Sequence, residues 1–119
     1  MQIFGTVVRG LADALGMHEA RHNLITENIA NVETPGYRAR DVDFREALQA
    51  AFADDAVREE VDSPTPLVDP TSSVKADGNS VDLDREMTRL SENAFQIVTL
   101  SRLLAKKYSG LRETIAELR

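Results

Sequence analysis

The chain's two histidines, His18 and His22, stand four apart with a glutamate beside the first. His18-Glu19-Ala20-Arg21-His22 matches H-E-x-x-H. On a helix, that spacing presents two imidazoles to one zinc ion with a carboxylate next to them as base. Catalytic zinc also needs a third protein ligand, an open coordination position and a cleft for substrate. Glu33, Asp41, Asp43 and Glu46 are candidate third ligands, but none lies in a recognisable motif. Both histidines fall on the apolar seam of their helix, where side chains pack against a neighbour. A short chain with no evident sheet has no walls for a peptidase cleft. The pattern therefore reads as part of a helix interface. No metal, cofactor or enzymatic activity is expected. No Gly-x-Ser-x-Gly or Gly-x-x-x-x-Gly-Lys occurs, and the absence of cysteine removes thiolate ligands, cysteine nucleophiles and disulfides. The acids Asp54, Asp55, Glu59, Glu60 and Asp62 lack calcium-loop spacing and read as solvated surface.

The element that carries the histidines runs from Gln2 to Glu33. Val8, Leu11, Leu15, His18, His22, Ile25, Ile29 and Val32 step by threes and fours, as in a coiled-coil seam. Phe4, Val7, Leu11 and Ala14 widen the apolar face. Gly5, Gly10 and Gly16 each weaken the helix by about 1 kcal/mol at interior positions. At Thr34-Pro35-Gly36-Tyr37 the helix must stop, because proline lacks an N–H, biases Thr34 away from helical dihedrals, and is followed by a turn-forming glycine. Asn28 and Asn31, polar amides beside the seam, are expected to fix register or the turn.

A second long helix occupies the C-terminal third. Met87, Leu90, Ala94, Ile97, Ser101, Leu104, Tyr108, Leu111, Ile115 and Leu118 repeat in the same step, and Phe95, Val98, Leu100 and Leu103 add another row. Such a helix has more than one face to cover. Asn79 or Ser80 is expected to cap it, with Asp82, Asp84 and Glu86 favourably placed in the dipole's field.

Between the helices, Tyr37 to Phe44 reads as extended chain. Arg38, Arg40, Asp41 and Asp43 there are candidates for ion pairs between subunits. Asp43 to Ala53 reads as a short helix on Phe44, Leu48 and Phe52, with Asp43 and Glu46 as a capping box. Residues 54–78 hold Pro64, Pro66 and Pro70 among acids, serines and threonines, and read as a mobile loop. The expected fold is all-α: two long terminal helices in an antiparallel, coiled-coil-like hairpin with an extended and partly disordered middle segment. Residues 1–35 form the first helix, 36–80 the middle and 81–119 the second helix, one core unit in all. The packing seam is expected at Leu11, Leu15, Ile25, Ile29, Met87, Leu90, Ile97, Leu104, Tyr108 and Leu111.

Composition narrows the partners. At a formal charge of −6, nucleic acid is not expected, since phosphate binding needs a basic surface. No signal peptide and no membrane span are legible. Two helices without a third layer leave their outer apolar rows wet, so the chain is expected to be marginal alone and to become fully ordered in an assembly.

The string NIANVETPGYRA, from Asn28, resembles the motif shared by the bacterial flagellar axial proteins, the family of rod and hook subunits. Tyr37 to Phe44, Asp77 to Met87, and Asn93-Ala94-Phe95-Gln96 leading into 103–114 resemble more particularly its short proximal-rod members. Hook and distal-rod members carry large domains inserted between the helices, and this chain has none. The resemblance implies a structural subunit of the basal-body rod. It implies export through the flagellar type III system and polymerisation through the terminal helices outside the inner membrane. The implied partners are other rod subunits, copies of the same chain, the basal adapter protein and the export gate. The implied assembly motif is Asn28, Ile29, Ala30, Asn31, Thr34, Pro35, Gly36 and Tyr37. A free-standing coiled-coil adapter is the alternative, and for it the Thr34–Tyr37 turn would be dispensable.

Overall fold

A computed structural model describes residues 2–51 and 65–118. Two long helices dominate it, α1 (Gln2–Ala30) and α3 (Leu83–Glu117). They lie antiparallel: His18 reaches Asn93, and Asn28 reaches Glu86. A lateral arm consists of β1 (Arg40–Val42), α2 (Phe44–Ala51) and β2 (Pro66–Val68). The fold is the expected all-α hairpin of long terminal helices, with a small two-stranded sheet added.

α1 ends at Ala30, three residues before the expected limit. The Asn31 N–H is shared between the carbonyls of Glu27 and Asn28, and Thr34 N–H bonds Asn31 O at 3.0 Å, so the last turns tighten before the proline. Gly36 then takes φ 76°, and Tyr37 N–H closes onto Thr34 O at 3.2 Å. A positive φ at the third position is why the turn carries glycine.

The arm is more ordered than its composition suggests. β1 pairs antiparallel with β2, Arg40 opposite Val68 and Val42 opposite Pro66. The composition predicts extended chain over 37–44 and a mobile loop over 54–78. Residues 65–78 are instead held by β2 and by side-chain bonds from Asp69, while 52–64, with the expected end of the short helix, lie outside the described residues. Asp43 caps α2 as its spacing suggested, accepting from Glu46 N–H at 3.2 Å. Through Phe44, Ala47 and Leu48, α2 packs on Ala14 and Met17 of α1 together with Leu100 of α3. The third layer missing from a bare hairpin is thus supplied in part by the arm.

This third neighbour rotates the buried face of α1. Val8, Ala14, Met17, Leu24, Ile25 and Asn28 are its buried side chains, while Leu11, Leu15, His18, His22 and Ile29 are half-buried. On α3 the correction is sharper. Leu90, Ile97, Leu104 and Leu111, seven apart, are half-buried toward α1. The companion row is Glu86, Asn93 and Leu100, not Met87, Ala94, Ser101 and Tyr108. Met87 and Tyr108, expected in the seam, are 51% and 55% exposed. The more apolar row faces solvent because the neighbouring row carries polar groups that α1 and the arm bind. α3 is capped by Asp82, whose carboxylate accepts from Arg85 N–H, and not by Asn79 or Ser80.

Candidate functional site

The polar groups of the molecule converge where α1 leaves and α3 begins. Asn28, on the last full turn of α1, is completely buried. Its Nδ2 donates to Arg40 O at 2.9 Å, and its Oδ1 accepts from Arg40 N–H at 3.1 Å. The amide therefore pairs with both backbone groups of one residue, as a neighbouring strand would. Its Oδ1 also accepts from the Tyr37 hydroxyl at 3.2 Å, and its Nδ2 reaches Glu86 Oε2 at 3.3 Å. One side chain thus ties the helix end to the turn, to β1 and to α3.

Asn79 does the same from the other side. It too is fully buried. Its Nδ2 donates to the carbonyls of Asn31 and Thr34, both at 2.8 Å, and its Oδ1 accepts from Val81 N–H at 2.7 Å. The carbonyls at the end of α1 lack helical partners. Asn79 gives a donor to two carbonyls just past that end, from 48 and 45 residues downstream. The sequence reading assigned it to the start of α3; its side chain reaches back instead. The backbone completes the lock: Gly36 N–H bonds Asp77 O, Ser80 N–H bonds Tyr37 O, and the Ser80 hydroxyl accepts from Ala39 N–H at 2.8 Å. Gly78 also has positive φ, 82°, and a Cβ built on it would lie 3.3 Å from Gly36 Cα. The two glycine turns lie back to back, close enough that a methyl group on Gly78 would press on its neighbour's backbone.

Of the expected assembly motif, Asn28 is buried, Ile29, Asn31 and Tyr37 are half-buried, and Ala30, Thr34, Pro35 and Gly36 are exposed. Asn31 works locally, donating to Glu27 O at 2.8 Å and accepting from the Thr34 hydroxyl at 3.1 Å. The turn therefore presents its outer surface to solvent while its inner atoms are bonded within the chain.

Beside this junction lies an ion-pair network. Arg21 grips Asp41 with two bonds, at 2.8 and 2.9 Å, and stacks its guanidinium over the Phe44 ring. Arg89 joins Asp41, Asp69 and the buried Glu86. Arg85 meets Asp69 at 3.1 Å. Burial opposes the charge on Asp69, but the Thr71 hydroxyl and N–H, Arg85 and the Ser72 hydroxyl outweigh it and hold the carboxyl below the usual carboxylate range. Arg40 pairs with Glu27, and Arg38 is exposed. The charges read as candidates for contacts between subunits are therefore, for Arg40, Asp41 and Asp43, used within the chain.

The histidine pair is placed differently from a zinc site. Asn93 Nδ2 donates to His18 O at 2.7 Å, which leaves its Oδ1 to accept from His18 Nδ1 at 2.8 Å. The His18 ring lies 4.6 Å from that of Phe44. His22 lines a recess with Ala94, Ile97 and Val98. Asp41 is occupied by two arginines, Asp43 caps α2, and Glu33 and Glu46 are exposed. Among the described residues, no three His, Cys, Asp or Glu side chains gather as a metal ion requires. No helix among them is long and apolar enough to cross a membrane.

No protein-family model matches the chain. Individual proteins do. The flagellar basal body rod protein FlgB of Bacillus subtilis (strain 168) is 30% identical, with 97% of each chain covered. The chain belongs to the FlgB family of flagellar basal body rod proteins. The FlgB of Cereibacter sphaeroides is 34% identical over 89% of this chain and 96% of its own. That of Escherichia coli (strain K12) is 29% identical over 87% and 88%. The likeness to FlgB thus takes in both long helices and the junction between them.

Proposed function

We propose that this chain is a structural, non-catalytic subunit of the proximal part of the flagellar basal-body rod. It packs its two terminal helices beside those of other rod subunits and of further copies of itself. The observation that carries this reading is the near full-length likeness to FlgB proteins. The geometry adds a physical reason: a junction made rigid by buried amides, next to helices whose apolar rows are left uncovered. Such a molecule has a fixed shape and surface still to bury, which suits a polymerising subunit. The chain reaches the rod through the flagellar type III export system and meets the export gate and basal adapter at the rod's base. The Asn28–Tyr37 segment serves as the assembly motif by setting the angle between α1 and the arm.

The test is genetic and biochemical together. Deleting the gene should abolish motility and leave cells without a rod, and the chain should be found in isolated basal bodies of the parent. Exchanging Gly36 for valine should block rod assembly. An adapter working outside the rod predicts basal bodies that lack the chain and tolerance of that exchange, and either result overturns the proposal.

A further inference from the structure

The turn that leads into α3 holds a chemically reactive pair. Asp77-Gly78 is the one Asp-Gly step in the chain, and no Asn-Gly occurs. An aspartyl carboxyl carbon is open to attack by the next residue's backbone nitrogen, and glycine, having no side chain, shields that nitrogen least. The junction needs both residues. Asp77 Oδ1 accepts from Asn79 N–H at 3.0 Å, and Asp77 O accepts from Gly36 N–H at 3.0 Å. Only glycine suits φ 82° against the Gly36 backbone. In the folded chain both reacting groups are engaged: the carboxylate by Asn79, and the Gly78 N–H by Lys75 O at 2.9 Å. Asp77 itself is exposed. The clamped backbone, not burial of the acid, holds the reaction back.

We propose that Asp77 is a covalent isomerisation site that folding shuts, and that a chain converted there no longer closes the junction. In the open chain the Gly78 nitrogen bonds to Asp77 Cγ and gives up its proton, and a carboxyl oxygen leaves as water. Water then opens the five-membered imide at either carbonyl. Opening at the former main-chain carbonyl gives isoaspartate. The backbone then runs through Cβ, one carbon longer, and the old carbonyl carbon carries the free carboxylate. The mass of the chain is unchanged. Gly36 N–H loses the peptide carbonyl it bonds, and Asn79 N–H loses Asp77 Oδ1. The added carbon also displaces Asn79, whose amide must meet two carbonyls at 2.8 Å. The time spent unfolded therefore sets how much of the chain can still assemble its junction.

The full-length chain, incubated at neutral pH with and without denaturing urea, tests this. Isoaspartate is labelled with an isoaspartyl methyltransferase and located by peptide mass spectrometry. Conversion at Asp77 should be about tenfold or more slower in the folded chain, because it proceeds only through the open fraction. After ageing in urea, the converted and unconverted molecules are separated by chromatography and diluted into buffer. The unconverted fraction should regain cooperative unfolding, and the isoaspartate fraction should not. Equal conversion rates in the folded and unfolded chain overturn the proposal. An isoaspartate fraction that unfolds like the parent also overturns it.

Discussion

The two ends of the helix pair are built on different principles. At the junction, Asn28, Asn79, Ser80 and Glu86 are buried and bonded, two glycine turns touch, and the surrounding charges are paired within the chain. At the other end, α3 carries Tyr108, Ile115 and Leu118 into solvent, Leu118 at 83% exposure. Hydrogen bonds are directional and costly to leave unmade, so the junction fixes one geometry. Apolar contact is non-directional, so the far end can be covered by any surface of the right shape. The molecule thus settles its own angles at one end and leaves adhesive surface at the other.

Substitutions can break this contrast. Asn79→Ala should have the largest effect. It leaves the buried Val81 N–H without its partner and removes one of the two hydrogen bonds accepted by each of the Asn31 and Thr34 carbonyls, and urea unfolding should register a loss of about 3 kcal/mol. Gly78→Ala comes next, at about 2 kcal/mol by the same measurement, because positive φ and the contact with Gly36 add together. Gly36→Ala has the same backbone penalty but open space around it, so it should cost about 1 kcal/mol.

Acid should probe the junction selectively. The folded state holds Asp69 below its unfolded pKa, so its charge stabilises the fold above the unfolded value. That contribution is lost as pH falls from the usual carboxylate range through the folded value. Asp69→Asn should flatten that part of the stability–pH curve and leave the neutral-to-alkaline part parallel to the parent. The smallest effect is expected at the other end of the comparison. Tyr108→Ser, at 55% exposure, should change the stability of the isolated chain by no more than about 0.5 kcal/mol, yet reduce rod assembly, measured as recovery in basal bodies. A large loss of monomer stability there would show that the outer row is already covered within the chain.

Much of this was legible in the sequence, and the failures share one cause. The helices, the stop at Pro35 and the cap at Asp43 follow from local rules that tertiary contacts did not override. The amides Asn28 and Asn31 stood out because they interrupt an apolar pattern. The packing seam of α3 was displaced by one residue because counting apolar side chains favours Met87, Ala94 and Tyr108 over Glu86 and Asn93. The buried row is polar because it faces His18 and Asn28, and no periodicity of a single helix can reveal that. Asn79 was misassigned for a similar reason: its nearest helix in sequence is not the helix it caps. Asp69 and Arg89 carried no local signal, since their roles exist only once the residue after β2 meets Arg85 and Arg89 of α3.

The strand pair has a further consequence. Residues 42 and 66 are held opposite each other, and the glycine turns clamp the chain just beyond. α2, which follows residue 42, packs through Phe44, Ala47 and Leu48 on Ala14, Met17 and Leu100, so the strand pair and α2 together fix the arm against both long helices. The junction works as a socket: it seats the arm beside the two long helices at one angle and one height.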